Sequence, residues 1–259
     1  MNQHIIEFQN VDMRFGSKVV LDAVSFFVDK GETLAVIGPS GTGKSTVLKL
    51  LIGLLQPQAG HILIKGQPVE HYTENEWNTL RQHMGMVFQY SALFDFLDVG
   101  ENVAFGLRQH THMTEKAIQK RVASLLEAVG LSGNEHVYPA QLSGGMQKRV
   151  GLARALALQP DIILYDEPTA GLDPIMATNI SQLILDTKKQ LGITSLLVTH
   201  DMASAFLCAD RILMLSEGRI VFTGTVADAK KTKEPMVRAF LRSDILENKE
   251  TSYEKSSKI

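Results

Sequence analysis

The residues with the clearest chemical meaning lie between positions 38 and 45, in the run Gly-Pro-Ser-Gly-Thr-Gly-Lys-Ser. The run fits the pattern G-x-x-x-x-G-K-[ST] without a mismatch. Its glycines let the backbone wrap closely, so that several N–H groups converge on phosphate oxygens. Lys44 is placed to reach the β- and γ-phosphates of a nucleotide, and the Ser45 hydroxyl is placed to bind Mg²⁺. The pattern therefore predicts a phosphate-binding loop.

The segments on both sides of the loop support this interpretation. Thr33 to Ile37 is a compact apolar run of the kind that forms a buried parallel strand. Beyond it, apolar residues recur at helical spacing from Val47 to Leu55, so the loop opens a helix whose N-terminal end favours anions. The competing interpretation is a glycine-rich turn before a helix. The predicted phosphate-binding residues are Gly38, Pro39, Ser40, Gly41, Thr42, Gly43, Lys44, Ser45 and Thr46.

Two acidic residues follow a second apolar run. Ile162 to Tyr165 is predicted to be a buried strand, and Asp166 and Glu167 stand at its C-terminal end. Open α/β sheets bind their ligands at that end of the strands. We expect Asp166 to hold the metal, directly or through water, and Glu167 to polarise an attacking water as general base. Without the phosphate-binding loop, a solvated pair of surface carboxylates would be the better explanation.

The elements that must position these residues alternate along the chain. Short strands are predicted near the N-terminus, as over His4 to Asp12, and a buried strand returns at Ser195 to Thr199. A helix is predicted from Pro174 to Leu191, between two of the buried strands. Such alternation indicates an α/β sheet. The helix-rich stretch from about Tyr90 to Leu158 is predicted to be an insertion.

The C-terminal part is predicted to continue with a hairpin over Arg211 to Thr223, turning at Glu217-Gly218. Pro235 is placed to start one more helix, because proline is favoured at the first helical position. From about Asn248 the sequence has almost no apolar residues, so we expect a mobile tail there.

Composition excludes several classes of protein. The chain has 259 residues, 44% of them hydrophobic and 21% charged, which excludes collagen-like, coiled-coil and wholly disordered proteins. The net charge of -2 gives no support to nucleic acid as a partner, since that requires a basic excess. A single cysteine, Cys208, excludes an internal disulfide and fits a reducing compartment. The sequence contains neither a predicted membrane span nor a predicted signal peptide, so we expect a cytosolic protein; if it works at a membrane, it must dock on other subunits.

A second glycine motif carries a resemblance to a known family. The run Leu142 to Gln147, Leu-Ser-Gly-Gly-Met-Gln, resembles the signature motif of ATP-binding cassette (ABC) ATPases. Ser143 resembles an N-cap, and Gly144 and Gly145 expose N–H groups at a helix start. One ATP has one γ-phosphate, which the Lys44 loop already serves. We therefore expect two chains packed head to tail, each lending this motif to the other's nucleotide; standing alone, the motif would be only a capped helix start.

Four further positions match the ABC pattern. Phe15 resembles the aromatic residue that stacks on adenine, and Gln89 the glutamine that contacts Mg²⁺ and the attacking water. Asp173, in Gly-Leu-Asp, resembles the D-loop residue at the dimer interface, and His200 the switch histidine that contacts the γ-phosphate. Alone, Phe15 would be a core phenylalanine, Gln89 a surface amide and His200 a structural histidine. The resemblance covers roughly residues 4 to 240 and implies ATP and Mg²⁺ as the bound groups.

The resemblance also implies a fold, a domain division and a catalytic set. The fold is an α/β P-loop NTPase (RecA-like) core with a mainly parallel sheet, an N-terminal antiparallel β subdomain and an inserted α-helical subdomain. The ABC ATPase domain spans 1–245, with core and β subdomain over about 1–89 and 159–225, and the helical subdomain over about 90–158; residues 226–259 are a C-terminal helix and mobile polar tail. The implied catalytic residues are Glu167, His200, Lys44 and Gln89, and the implied metal ligands are Ser45, Gln89 and Asp166.

Within the ABC family, the chain most resembles the ATPases of Mce-associated phospholipid transporters. This likeness rests on Ser91 to Asp95, Glu101 to Phe105, Met146 and Gly171 to Ile175. The chain departs from the pattern at Gly106, where proline is expected, and at Phe96-Leu97. The likeness implies a peripheral motor on the cytoplasmic face of the inner membrane, with integral-membrane permease subunits docking near Tyr90 to Leu107 and an Mce-type substrate-binding protein as an indirect partner. Alternatively, the aromatic residues of that segment pack the helical subdomain itself.

Other functions stay open from the sequence. The chain could serve another ABC system, for lipoprotein release or small-solute import, or be a single-cassette ATPase of iron–sulfur assembly. A P-loop kinase is disfavoured by the signature motif and the D-loop. Cargo and transport direction are barely encoded in an ATPase subunit, because other subunits handle the cargo.

Overall fold

The computed structural model describes residues 4–241, which form two β-sheets with helices packed around them. The strands are β1 (His4–Phe15), β2 (Lys18–Asp29), β3 (Thr33–Ile37), β4 (Ala59–Ile64), β5 (Gln67–Pro68), β6 (Met84–Val87), β7 (Ile162–Asp166), β8 (Thr194–Val198), β9 (Arg211–Ser216) and β10 (Arg219–Thr225). The helices are α1 (Lys44–Leu51), α2 (Glu74–Gln82), α3 (Val99–His110), α4 (Glu115–Ala128), α5 (Gly144–Leu156), α6 (Pro174–Leu191), α7 (Met202–Cys208) and α8 (Val226–Lys231). Pro139–Gln141 forms a 3-10 turn, and residues 235–241 are helical.

The larger sheet has the strand order β10-β9-β3-β8-β7-β6, and all its pairings except β10 with β9 are parallel. Strands β3 and β8 are buried along their whole length, which is why both are near-continuous apolar runs. In the register of the sheet, Val198 pairs with both Val36 and Asp166. The C-terminal ends of β3, β7 and β8 therefore meet at one edge of the sheet.

The smaller sheet has the order β2-β1-β4-β5 and is antiparallel throughout. Its apolar face shares one core with α1 and the larger sheet, in which Phe8, Leu48 and Leu164 are buried together. The two sheets are thus layers over a common core, which holds the start of α1 firmly against β3.

Three helices, α3, α4 and α5, lie between β6 and β7 in the chain. They bury Val103, Leu126 and Val150 in a second core that also includes Ile163 of β7. This arrangement confirms the predicted α/β fold with an N-terminal antiparallel sheet and inserted helices.

The helix after the phosphate-binding loop is shorter than predicted. It ends at Leu51, although the apolar spacing continues to Leu55. The reason is Gly53, which has φ of +71° and would bring a Cβ within 2.4 Å of the Trp77 ring. The left-handed backbone ends the helix, and Trp77 fills the space that another helical turn would need.

Apolar spacing did not predict the short helix α8, and it also missed three longer helices, namely α2, α3 and α7. Each begins at a side chain that accepts hydrogen bonds from the first turn: Thr73 for α2, Asp98 for α3 and Asp201 for α7. Single Thr and Asp residues are too common to mark a helix start without a clear apolar stripe. Capping chemistry rather than hydrophobic patterning fixes where these helices begin.

Other predicted elements are found where the sequence puts them. Helix α6 begins at Pro174 and ends at Leu191, followed by Gly192 in the left-handed conformation. The predicted hairpin corresponds to β9 and β10, and a helical segment does begin at Pro235. The predicted polar tail from Asn248 lies outside the described residues. Within residues 4–241, no helix has both the length and the apolar character required to cross a membrane.

Candidate nucleotide-binding site

The loop between β3 and α1 requires glycine at two positions. Gly38 has φ of +146°, and a Cβ there would lie 2.1 Å from the carbonyl oxygen of Leu215. Gly43 has φ of +102°, and its Cβ would lie 2.8 Å from the carbonyl oxygen of Val20. The loop is therefore pressed between β9 and β2, and side chains at these positions would push it outward.

Lys44 closes the loop from the inside. Its ammonium donates hydrogen bonds to the carbonyl oxygens of Gly38 at 2.6 Å and Pro39 at 2.9 Å, and the Thr42 hydroxyl donates to Pro39 as well. The side chain is largely buried, so desolvation lowers the pKa of Lys44, while the carboxylates of Glu167 and Asp166 oppose that shift. A phosphate at the mouth of the loop would meet a cation that is already held in place.

Asp166 ends β7 and meets the first turn of α1. The Ser45 hydroxyl hydrogen-bonds the Asp166 carboxylate. Burial and the neighbouring charge of Glu167 raise the pKa of Asp166, while the Ser45 hydrogen bond lowers it. A hydroxyl and a carboxylate oxygen are the hard donors that Mg²⁺ prefers, so these two residues fit that cation.

Glu167 and His200 form a pair at the ends of adjacent strands. The Glu167 carboxylate accepts the main-chain N–H of His200 at 3.2 Å and lies 2.8 Å from the His200 Nδ1. Glu167 has φ of +48°, an uncommon backbone for a side chain of this size. The hydrogen bond to Glu167 raises the pKa of His200. The hydrogen bond between the two side chains is therefore charge-assisted while His200 is protonated.

Most of the predicted residues line one cleft of about 460 Å³, a size typical of small-molecule sites. Phe15 and Lys18 stand on one side, where β1 turns into β2. The predicted residues lining the cleft are Phe15, Ser40, Gly41, Gly43, Lys44, Ser45, Thr46, Gln89, Glu167 and His200. Gly38, Pro39 and Thr42 shape the loop behind it, as the contacts of Lys44 show.

Asp166 is not in the lining either and lies behind the cleft on the Ser45 hydroxyl, whereas the predicted residues Ser143, Gly144, Gly145 and Asp173 belong to neither the cleft nor the loop behind it. Ser143 caps α5 by accepting the N–H of Met146, and Asp173 caps α6. A Cβ on Gly145 would lie 2.3 Å from the Met176 Cε, so the start of α5 packs on the start of α6. In the single chain, the signature motif and the D-loop lie against each other, away from the Lys44 loop.

Two residues at the site were not singled out by sequence. Lys148 of α5 is buried and donates to the main-chain carbonyl oxygen of Gln89, next to that of Glu167 at 3.5 Å. Asp201 caps α7 and also accepts the hydroxyls of Thr169, at 3.3 Å, and Ser204. Asp201 escaped prediction because a single Asp does not mark a helix start, and no spacing rule marks Lys148 among the polar residues of its helix.

The segment after Gln89 divides into buried and exposed parts. Asn102 is fully buried and holds the bend by donating to the carbonyl oxygens of Phe94 at 3.1 Å and Asp98 at 3.0 Å. Leu107 is buried in the helical core, whereas half-buried Phe94 packs against exposed Phe105, with ring centroids 4.8 Å apart. Phe96 is 77% exposed, and Tyr90 is exposed as well. The predicted aromatic segment thus contributes to both the helical core and the surface.

A loop that wraps phosphate at the end of one parallel strand, with carboxylates at the end of another, is the construction of P-loop nucleoside triphosphatases. The fold and the cleft place the chain in that class. A family model described as ABC transporter matches residues 21–170. The chain belongs to this family and is an ATPase that binds nucleotide, as predicted.

Individual relatives extend the likeness to nearly the whole chain. The chain is 40% identical to the intermembrane phospholipid transport system ATP-binding protein MlaF of Haemophilus influenzae, over 94% of this chain and 92% of that protein. It is 43% identical to the probable ribonucleotide transport ATP-binding protein mkl of Mycobacterium leprae, over 91% of this chain and 68% of that protein. A solved dimeric post-hydrolysis cassette, MJ0796 bound to ADP and Pi, has a TM-score of 0.78 and 32% identity, over 85% of this chain and 98% of that one.

The Glu167–His200 pair gives a testable pH dependence. We expect the pKa of His200 to lie above the ordinary histidine value of about 6.5 and to fall toward it in Glu167→Gln, which removes the negative acceptor. The ion pair is complete below the raised pKa and is lost as the pH rises through it. NMR titration of the imidazole resonance, assigned by its loss in His200→Asn, measures this. An unchanged titration in Glu167→Gln would show that the pair does not set the pKa.

Proposed function

We propose that this chain is the ATP-hydrolysing motor subunit of a membrane transporter that moves phospholipids. The observation that carries the proposal is the convergence of the Lys44 loop, Ser45 and the Glu167–His200 pair on one cleft, with Asp166 behind it on the Ser45 hydroxyl. Phosphoryl transfer to water requires positioning and charge neutralisation more than covalent help, and these groups supply both.

In the proposed reaction, Lys44 and the N–H groups of the loop bind the β- and γ-phosphates. Ser45, Asp166 and Gln89 would hold Mg²⁺, which neutralises charge on the transferring phosphoryl group. Glu167 accepts a proton from the attacking water while the water oxygen bonds to the γ-phosphorus. The bond from that phosphorus to the β–γ bridging oxygen breaks, and ADP leaves with that oxygen. His200 holds the Glu167 carboxylate in orientation through the 2.8 Å contact.

The proposed active unit is a head-to-tail dimer. The α5 end, with exposed Ser143 and Gly144, is a helix N-terminus suited to an anion, yet it does not line its own chain's cleft. A second copy would bring this end, and the D-loop residue Asp173, to the nucleotide of the first. ATP then binds the closed dimer better than the open one, and such differential affinity is what allows a ligand to drive a change of shape.

The proposed membrane contact is the segment from Tyr90 to Leu107. Exposed Phe96 and Phe105 both lie against the Phe94 ring and form an aromatic patch, and exposed Tyr90 follows the cleft glutamine directly in sequence; such a surface is suited to a helix of an integral-membrane permease. We place the chain on the cytoplasmic face of the inner membrane as a peripheral subunit. Its indirect partner is an Mce-type substrate-binding protein, and nucleic acid has no part in this proposal. We keep the predicted domain division: the core and β subdomain over about 1–89 and 159–225, the helical subdomain over about 90–158, and the C-terminal helix and tail over 226–259.

Two cargo classes compete, because the relatives' names differ. The protein named for phospholipid transport aligns over 92% of its length, whereas the one named for ribonucleotide transport aligns over 68%. The fuller alignment favours phospholipid. The ribonucleotide alternative is retained as a competing outcome of the transport experiment.

The shared-site dimer predicts opposite behaviour for two arginine substitutions. Glu167→Gln should bind ATP, lose about 100-fold or more of the turnover rate, and accumulate as an ATP-bound dimer. Adding Ser143→Arg should keep it monomeric with ATP, since the new side chain fills the anion-binding helix end. Adding Ser132→Arg, on an exposed loop of the same subdomain, should leave the dimer intact. Sedimentation velocity with ATP measures the oligomeric state of Glu167→Gln and of the two double variants made from it. Dimers of the double variant with Ser143→Arg would refute the shared site.

The docking proposal predicts that Phe96→Asp weakens copurification of the membrane subunits while leaving the melting temperature unchanged. Phe96 is 77% exposed, so its loss should cost little stability. Leu191→Asp is the matched control, because Leu191 is a 59% exposed apolar residue far along α6. Equal recovery of the membrane subunits with both variants would contradict the docking surface.

The cargo is tested on the native complex reconstituted into vesicles. We expect ATP-dependent transfer of a fluorescent phospholipid between vesicle populations, abolished by Glu167→Gln. Radiolabelled ribonucleotide is supplied in a parallel assay. Ribonucleotide movement without lipid transfer would replace the phospholipid proposal with the competing one.

A further inference from the structure

Helix α5 connects parts of the molecule that the proposed function assigns to different tasks. Its N-terminal end, at Ser143, is the end proposed to bind the partner's nucleotide. Near its C-terminal end, Arg154 donates to the carbonyl oxygens of Ser91 at 2.8 Å and Ala92 at 2.7 Å, beside the aromatic patch. Lys148 lies between these two points and contacts the main chain of the cleft itself.

Lys148 is a buried cation whose contacts are main-chain oxygens of two site residues. Lys148 as a whole residue is 6% exposed, and its ammonium donates to the carbonyl oxygen of Gln89 and lies 3.5 Å from that of Glu167. Burial lowers the pKa of Lys148, and the carboxylates of Glu167 and Asp166 oppose the shift. One amino group thus joins the segment after β6 to the segment after β7.

The strand that leads to Gln89 lies directly on α5. A Cβ on Gly85 would approach the carbonyl oxygen of Ala155 to 2.6 Å, so β6 and α5 are as close as glycine permits. Ser91 and Ala92 have φ of +60° and +47°, and Arg154 holds this bend from the same helix. Strand β6, Gln89 and the bend after it are therefore attached to α5 along its length.

We propose that Lys148 is a positioning residue for ATP hydrolysis. It ties the main chains of Gln89 and Glu167 to α5, so that a displacement of the Ser143 end moves both residues within their own chain's cleft. Binding of the partner's nucleotide would thereby set the geometry of hydrolysis in this chain. The inference rests on the proposed function, which gives Glu167 the role of general base and Ser143 the contact to the partner's nucleotide.

Stability alone gives a poor account of a cation at this position. Burying an ammonium costs free energy that its contacts must offset, and an apolar side chain of similar length often packs as well. Methionine matches lysine in length without the charge. Lys148→Met therefore removes the link while keeping most of the packing.

The experiment compares steady-state ATP hydrolysis by the full-length chain and its variants. Lys148→Met should lower kcat by about 10- to 100-fold, the range expected when a catalytic group is displaced by about 1 Å, with KM for ATP within about 2-fold. Lys148→Arg, which keeps the cation, should recover most of the lost kcat. Arg149→Met is the matched control, because Arg149 donates at 3.1 Å to the Val129 carbonyl oxygen, away from the cleft; its kcat should remain within about 3-fold of the parent value.

Three outcomes would overturn the inference: an unchanged kcat in Lys148→Met, a loss that Arg149→Met reproduces, or no recovery in a stably folded Lys148→Arg. Melting temperatures are measured for every variant. Should Lys148→Met fail to fold, Lys148→Gln, which is shorter and uncharged, takes its place with the same expected loss. A parent protein without ATPase activity would instead reject the proposed function, so the two failures are distinguishable.

Discussion

The parallel pairing of β3, β8 and β7 is the constraint on which the site depends. Val198 pairs with Val36 on one side and with Asp166 on the other, so the three strands end at the same level. The loop, the carboxylates and His200 leave the sheet at that level and meet. A slip of one residue in β7 would exchange the faces of Asp166 and Glu167, separating the first from Ser45 and the second from His200.

Buried charges of both signs explain the electrostatics of this edge. Lys44 and Lys148 are mostly buried near Asp166 and Glu167. Desolvation lowers the pKa of both lysines and raises the pKa of Asp166, while the opposite charges nearby oppose these shifts. Each charge is tolerated because the others are present. Titratable groups perturbed in this way are common at catalytic sites, where the arrangement anticipates the charge of the ligand.

The sequence predicted the fold class and most of the cleft, because both depend on local patterns. Apolar runs marked β3, β7 and β8, and the loop motif fixed the position of Lys44 beside them. What escaped prediction depends on tertiary contact. Trp77 stops α1 early by occupying the space beside Gly53, and Lys148 meets Gln89 and Glu167 only because α5 packs on β6. The roles of the individual site residues stay predictions, since their geometry is compatible with the chemistry without measuring it.

The outward-facing start of α5 has a consequence for energy use in the cell. If each nucleotide-binding site is completed by another copy, then a single chain carries only two half-sites and hydrolyses ATP slowly. At low abundance, the turnover of unassembled copies would rise with the square of their concentration. Tethering two copies side by side on a permease raises their local concentration to about the millimolar range. ATP hydrolysis would then be confined to assembled transporters, and unassembled subunits would hydrolyse little ATP.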